Sequence, residues 1–439
     1  MFIRDVFLTF STEVLAIAGN FLTGVVLARS LTPAERGVMV LVMTLPWTVV
    51  SFVSLGLPQA NIYLIGRNKR DAKKVLGNAL VLSVVLGLVS VLVLSAAKDL
   101  LFRTVLNDLP SEYWLPLMML VPILLVDVMA LSILCARQRF DLFNLRRMVL
   151  PISMLVGFVI GLVVSKGGMG GGVGVYVVIT VLMTVLGLAL TWREVPLTLG
   201  FDRRLTGESL RFGLKSYLHD LVGGLNYRVD VYLLALFLAP DQVAFYAVAA
   251  SLAEVAWYIP NSVGTVLFPR LSHAPVEENH QITAKVCRNT FVLTGLVVAG
   301  LLALSWLFVP WVYGFAYRAT IPPLLVLLPG VLSMVIYKVL ARSFTSRNLQ
   351  QIPILAASVA LMLNVGLDWL FIQRWGVVGA AMASTVGYTA AGGVLLVFFL
   401  RDSRLSWQEV LRPRWDELIG HWRWAKASFQ SLVARSRST

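Results

Sequence analysis

Residues 75–97 have the sequence VLGNALVLSVVLGLVSVLVLSAA, in which no side chain is charged. A run of 18 or more apolar residues is long enough to cross a bilayer as an α-helix. Comparable runs recur along all 439 residues. We therefore predict about twelve transmembrane spans, at residues 6–30, 37–66, 75–97, 114–136, 143–165, 172–192, 212–238, 243–269, 286–313, 319–345, 352–373 and 377–400.

The overall composition excludes an ordinary soluble protein. Hydrophobic residues make up 58% of the chain and charged residues 14%, whereas soluble domains carry about 25% charged residues. Within lipid the backbone must satisfy its own hydrogen bonds, so long apolar runs become helices. The predicted fold class is an all-α polytopic membrane protein, and its short external loops favour a transporter over an enzyme.

The chain has a net charge of +14, and its basic residues are concentrated in the loops on one side of the membrane. With the N-terminus inside, the internal loops and tail carry about 28 of the 37 Lys and Arg residues, and the external loops about seven. This positive-inside pattern predicts that both termini lie in the cytoplasm, with the chain in an inner (cytoplasmic) membrane. It also explains the basicity by contact with anionic membrane lipids, and no nucleic-acid partner is needed.

The N-terminus and the cysteines add little chemistry. No small-residue cleavage site ends the first apolar run, so we interpret it as the first span and not as a signal peptide. Cys135 and Cys287 both fall near predicted cytoplasmic helix ends. We expect neither a disulfide nor a metal site from them.

Three segments of the second half resemble segments of the first half. Leu27–Pro33 aligns with Leu234–Pro240, Ala136-Arg137 with Ala341-Arg342, and 172–174 with 377–379, at offsets of 207, 205 and 205 residues. An even number of spans in each half predicts a parallel repeat, with two six-helix bundles around a central cavity and transport by alternating access.

This repeat divides the chain into four parts. We predict an N-lobe at residues 1–193, a cytoplasmic linker at 194–211, a C-lobe at 212–401 and a cytoplasmic tail at 402–439. Apolar and basic residues alternate at helical spacing from Trp407 to Val433. That pattern favours an amphipathic segment on the membrane surface, with binding to a partner protein as the alternative.

Polar residues inside the seventh span form one stripe. Arg211, Lys215, His219, Asn226 and Asp230 are spaced so that they share a helix face, while Asp220 and Arg228 lie off it. Charges at membrane depth cost about 2.5–3.5 kcal/mol each, so they need partners or a water-filled cavity. The pair Gly223-Gly224 favours a kink that turns Arg228 toward such a cavity, whereas Arg211 and Lys215 have the alternative of snorkelling to headgroups.

Two further helices have weaker polar stripes. Glu13 and Asn20 share a face of the first helix, and Glu254, Tyr258 and Asn261 share a face of the eighth. The repeat superposes Glu13 on Asp220. We expect the first, seventh and eighth helices to line the central cavity. Three other intramembrane charges, Asp127, Lys338 and Asp368, fit either a functional role or a bond between helices.

Several motifs resemble the bacterial polysaccharide transporter family of the multidrug/oligosaccharidyl-lipid/polysaccharide exporter superfamily. They are Leu31–Gly37 (LTPAERG), 225–234 (LNYRVDVYLL), 245–249 (FYAVA), Pro260, 268–272 (FPRLS) and 375–381 (WGVVGAA). The resemblance covers roughly residues 1–400. It departs from some members because the chain has about twelve spans instead of fourteen.

The resemblance implies a flippase for undecaprenyl-diphosphate-linked oligosaccharide repeat units, used for O-antigen, capsule or exopolysaccharide. Arg228, helped by Arg211 and Lys215, would bind the diphosphate, because guanidinium groups suit phosphate. The sugars would contact Asn20, Asn226, Tyr258 and Asn261. The acids Glu13, Asp220, Asp230 and Glu254 would couple transport to H⁺ or Na⁺, or balance the cations. No other cofactor is implied, and a polysaccharide polymerase or export complex is a candidate partner.

Three alternatives stay open. A multidrug exporter of the same superfamily would prefer an anionic cavity for organic cations. A membrane glycosyltransferase or polymerase would need a long external loop with paired acids, whereas Asp108 and Glu112 stand in a short loop. A scaffold for a polysaccharide synthesis complex is compatible with the tail.

Overall fold

The computed structural model describes residues 2–66, 70–106, 109–196, 200–226 and 229–413. Within these ranges it describes no side chain for residues 2–11, 215, 216 and 218–226. Arg228 and the tail beyond residue 413 lie outside the described residues.

Helices account for nearly all of the described chain. Its first part contains α1 (Phe2–Ser30), α2 (Pro33–Val53), α3 (Leu57–Gly66), α4 (Ala72–Ala96), α5 (Lys98–Arg103), α6 (Trp114–Ala136), α7 (Phe140–Phe158) and α8 (Gly168–Glu194). The second part contains α9 (Arg203–Asn226), α10 (Val229–Phe237), α11 (Pro240–Glu254), α12 (Tyr258–His273), α13 (Val276–Tyr313), α14 (Ile321–Ser346), α15 (Gln351–Ser403) and α16 (Trp407–Leu411). A π-helical stretch, Val159–Val164, continues α7, and short 3₁₀ turns precede α6, α12 and α14.

Ten of the described helical segments are long and apolar enough to cross a membrane. Gly376 (φ 57°, ψ −134°) divides α15 into the predicted eleventh and twelfth spans, because only glycine adopts that backbone conformation readily. α9 and α10 occupy the predicted seventh span. The prediction of an all-α polytopic membrane protein with about twelve spans is confirmed.

The predicted second span differs in detail from the structure. It was expected to be one helix over residues 37–66, but α2 ends at Val53 and α3 begins at Leu57. The chain turns there because Leu55 (φ 49°) and Gly56 (φ 70°) both have positive φ. Length and hydropathy alone gave no sign of this break.

Contacts divide the chain into two compact units. The first unit contains Met1–Ala250, Ser305–Leu324 and Asn364–Ala383. Within it α6 is the central helix, because α2, α3, α4 and α8 all pack against it and α1 packs along α7. Hydrophobic side chains of α6 such as Leu117, Val121 and Leu125 are fully buried there.

The second unit contains Ser251–Leu304, Leu325–Leu363 and Ser384–Thr439. Its core includes Leu267 of α12, Cys287 of α13, Val339 of α14 and Phe399 of α15. The short helix α16 also packs here, because the side chain of Val410 is fully buried in the same core. The first turn of the predicted surface tail therefore packs against protein.

Candidate functional site

Most of the predicted stripe on the seventh span cannot be placed. Arg228 lies outside the described residues, and α9 is described without the side chains of Lys215, Asp220 and Asn226. Arg211 is exposed on α9. The roles assigned to these five residues stay predictions.

The two predicted site residues of α1 are both exposed. A carboxylate oxygen of Glu13 lies 2.9 Å from an Arg147 guanidinium nitrogen on α7. Nearly half of the Glu13 side chain remains exposed (49%), so the ion pair is not enclosed by the described protein. Asn20 lies two turns further along α1, as its spacing predicts.

A buried acidic cluster surrounds Asp230 in the first unit. Asp230 lies in the first turn of α10 and is buried. The Tyr246 hydroxyl of α11 donates a hydrogen bond to Asp230 Oδ2. The carboxyl group of Asp368, on α15, interacts electrostatically with the Asp230 carboxyl group. Asn364 is buried one helical turn before Asp368.

This arrangement is suited to binding a proton or a small cation. Neither carboxylate oxygen of Asp368 accepts a hydrogen bond from a described residue, and its side chain is fully buried. Two ionised carboxylates this close, away from water, would repel each other strongly. A proton shared between Asp230 and Asp368, or a bound monovalent cation, removes that repulsion.

A second polar cluster lies in the second unit. Glu254 ends α11, and the 3₁₀ turn Val255–Trp257 leads into α12, which carries Tyr258 and Asn261. The Lys338 ammonium of α14 donates a hydrogen bond of 3.1 Å to Asn261 Oδ1. Lys338 also experiences the negative charge of Glu254. Two of the three site residues predicted on the eighth span, Glu254 and Asn261, thus interact with a cation from another helix.

The third intramembrane charge has a structural role. Asp127 Oδ2 of α6 lies 2.6 Å from an Arg146 guanidinium nitrogen of α7, and both side chains are buried. Of the two interpretations open for Asp127, a bond between helices fits this geometry, because each charge neutralises the other.

Three residues in these clusters had not been singled out from the sequence: Arg147, Tyr246 and Asn364. Arg147 follows the buried Arg146 and had been counted only as an internal basic residue. Asn364 was detectable, since it precedes Asp368 by four residues in an apolar run and shares its helix face. Tyr246 lies in the FYAVA motif of the family resemblance, but no role in the site had been assigned to it.

Comparisons with known proteins agree with this architecture. The family model described as "polysaccharide biosynthesis protein" matches residues 2–275. The "Probable low-salt glycan biosynthesis flippase Agl15" of Haloferax volcanii is 24% identical over 184 residues, which are 41% of this chain and 39% of that protein. The match therefore spans about two-fifths of the length of that curated relative.

Solved structures show the same fold. A structure titled "Lipid II flippase MurJ, inward closed conformation" superposes with a TM-score of 0.75 at 15% identity, over 92% of this chain and 90% of that one. An inward-facing multidrug resistance MATE transporter of the MOP superfamily has a TM-score of 0.75 at 17% identity, over 91% and 98%. The chain is a multi-pass membrane protein that belongs to the polysaccharide biosynthesis protein family.

Proposed function

We propose that the protein is a flippase for undecaprenyl-diphosphate-linked oligosaccharide repeat units. It would move them from the cytoplasmic to the periplasmic leaflet by alternating access of two six-helix lobes, with both termini in the cytoplasm. The observation that carries the proposal is the family match over residues 2–275, in a chain whose buried polar clusters lie on membrane-spanning helices. The flippase names of the Haloferax volcanii relative and of MurJ support it.

The cargo must cross a region of low dielectric with its phosphates charged, so it needs cations and hydrogen-bond donors along the path. Arg228, Arg211 and Lys215 are the proposed diphosphate ligands. Asn20, Asn226, Tyr258 and Asn261 are the proposed sugar contacts. Tyr258 and Asn261 are three residues apart on α12, and the Lys338 ammonium donates a hydrogen bond to Asn261 Oδ1, which supports this assignment.

Transport against a gradient requires an energy source, and the acidic cluster is the proposed coupling site. Asp230 and Asp368 would take up H⁺ or Na⁺ in one state and release it in the other, because their mutual repulsion is relieved only while the cation is bound. Glu13, Asp220 and Glu254 are further candidate coupling acids. Glu13 is paired with Arg147, so its proposed role includes balancing that cation.

Deletion of the gene tests this function. We expect complete lipid-linked repeat units to accumulate on the cytoplasmic face, measured by mass spectrometry of membrane extracts with a leaflet-specific probe. A plasmid copy of the wild-type gene should remove this accumulation, and an Arg228→Ala copy should not. An unchanged lipid pool, in a strain with an active pathway and no second flippase, would contradict the proposal.

A multidrug exporter is the second candidate, because the MATE structure superposes as well as MurJ does. That function requires an anionic cavity for organic cations, whereas Lys338 adds a cation beside Asn261. Increased sensitivity of the deletion strain to cationic drugs, with an unchanged lipid pool, would favour this candidate. A glycosyltransferase or polymerase would instead show incomplete or unpolymerised glycan.

A further inference from the structure

Most of α14 is covered by other parts of the protein, but one of its cationic side chains, Arg342, is exposed. Between Leu325 and Ser346 its exposed residues are Pro329 and Arg342, and no large hydrophobic side chain is exposed there. Its neighbours differ, because Leu296 of α13 (66%) and Met362 of α15 (67%) are largely exposed, as expected beside lipid. Arg342 therefore lies on a helix that has no exposed apolar surface of this kind.

The Lys338 ammonium, one helical turn before Arg342, is held in a fixed position. It lies 4.7 Å from the centre of the Trp257 ring, as well as 3.1 Å from Asn261 Oδ1. The ring itself is fixed, since its indole N–H donates to the Val331 carbonyl at 3.0 Å and its edge contacts the Tyr388 ring. This frame orients Lys338 toward the polar face of α12.

Arg342 reaches the same face of α12 one turn further along. A Cβ atom added at Gly264 would lie 2.9 Å from Arg342 Nε and 3.5 Å from a terminal nitrogen, so the glycine leaves room for the guanidinium group. Among the described residues no carboxylate pairs with Arg342. Lys338 and Arg342 repel each other, and the negative charge of Glu254 acts on Lys338.

We infer that Lys338 and Arg342 form an anion subsite for the phosphate group of the cargo that is joined to the first sugar. Two cations four residues apart destabilise a helix, and a phosphate between them removes the repulsion. A guanidinium group binds phosphate oxygens in pairs, and an ammonium binds them as a point charge. Asn261 and Tyr258, on the same face, offer an amide and a phenol hydroxyl to the adjoining sugar.

This inference rests on the proposed function, because it assigns the bound phosphate to the proposed cargo. A phosphate group in a membrane has two possible sources. It belongs either to the diphosphate of a lipid-linked saccharide or to the headgroup of an anionic phospholipid. The amide of Asn261, which contacts Lys338, and the phenol of Tyr258 on the same face of α12 favour the saccharide. The neighbouring Glu254 would disfavour a site crowded with several anionic headgroups.

Ligand binding to the full-length protein tests the subsite directly. Native mass spectrometry in neutral phosphatidylcholine nanodiscs would measure the affinity for undecaprenyl-diphosphate-N-acetylglucosamine and, separately, for phosphatidylglycerol. We expect Arg342→Gln to weaken binding of the saccharide lipid by about tenfold, and Lys338→Gln with Arg342→Gln to weaken it further. Arg401→Gln, an exposed arginine at the end of α15, should leave it unchanged.

The outcomes separate the subsite from the proposed function. Unchanged binding of the saccharide lipid to Arg342→Gln would overturn the subsite, even if gene deletion still blocks export. Loss of phosphatidylglycerol binding alone would assign the cations to a headgroup and overturn the cargo assignment. No binding to wild-type protein would contradict the proposed cargo itself. If the double variant fails to fold, the test uses the two single variants of the exposed Arg342. Binding of the saccharide lipid should then be weaker for Arg342→Gln than for Arg342→Lys, which keeps the positive charge.

Discussion

At the scale of single residues, the Asp127–Arg146 pair shows how a buried charge is tolerated. Removing one partner leaves the other charge buried and unpaired within the membrane, which lowers the stability by about 3 kcal/mol or more. We expect Asp127→Ala to lower the thermal unfolding temperature of the purified protein in detergent, measured by intrinsic fluorescence.

The matched control for that variant removes both charges. Asp127→Leu combined with Arg146→Met leaves no unpaired charge, so most of the lost stability should return. If the double variant is as unstable as Asp127→Ala alone, the pair contributes more than mutual neutralisation.

The Asp230–Asp368 pair leads to a different prediction, because its charges are alike. Asp368→Asn keeps the size of the side chain and removes one titratable group. Translocation of a fluorescent saccharide lipid into proteoliposomes should then lose its response to an imposed H⁺ or Na⁺ gradient by about tenfold or more. Asp99→Asn, an exposed acid of α5, should keep the response. A gradient response retained by Asp368→Asn would contradict the coupling role.

At the scale of helices, the LTPAERG motif has a structural explanation. Thr32 and Glu35 form a reciprocal capping box before α2, with Pro33 at its first position. Arg36 then donates to the Gly24 carbonyl of α1 at 2.6 Å. Gly37 lies against the first residue of α11, where its Cβ would stand 1.7 Å from the Pro240 carbonyl oxygen. The motif thus joins α1, α2 and α11.

Gly37→Ala tests this junction, since any Cβ must force α2 and α11 apart. Overpacking of this kind costs about 1–3 kcal/mol, so the thermal unfolding temperature should fall. Gly174→Ala in α8 is the control, because no atom lies within 4 Å of the added Cβ. Equal unfolding temperatures for the two variants would show that the helices separate without cost.

Sequence reasoning could locate helices but not their neighbours. The turn at Gly376 falls between the predicted spans 352–373 and 377–400, because hydropathy falls where a helix pair turns. Residues four apart, such as Asn364 and Asp368, were also accessible from helix periodicity. The Lys338–Asn261 bond joins positions 77 residues apart, and no single-sequence pattern specifies which helices pack side by side. Polar residues that share one helix face could therefore be identified from the sequence, whereas the contacts between different helices could not.

At the scale of the whole molecule, the distribution of basic residues is the main argument for orientation. Lys73 and Lys74 lie in the first turn of α4, and Asp99 follows the helix in α5. With 25 residues, α4 is about 37 Å long at 1.5 Å per residue, which suffices to separate its two ends by a bilayer. If the positive-inside rule holds, Lys74 faces the cytoplasm and Asp99 the outside.

Single cysteines at these two positions measure that orientation. In a background with Cys135→Ser and Cys287→Ser, Asp99→Cys should react with a membrane-impermeant maleimide on intact cells, whereas Lys74→Cys should react only after permeabilisation. Both native side chains are exposed, so access to water does not bias the comparison. The reverse labelling pattern would show that the chain has the opposite orientation in the membrane. The proposed anion subsite near the end of α14 would then face the outside, and the direction of transport would have to be reversed with it.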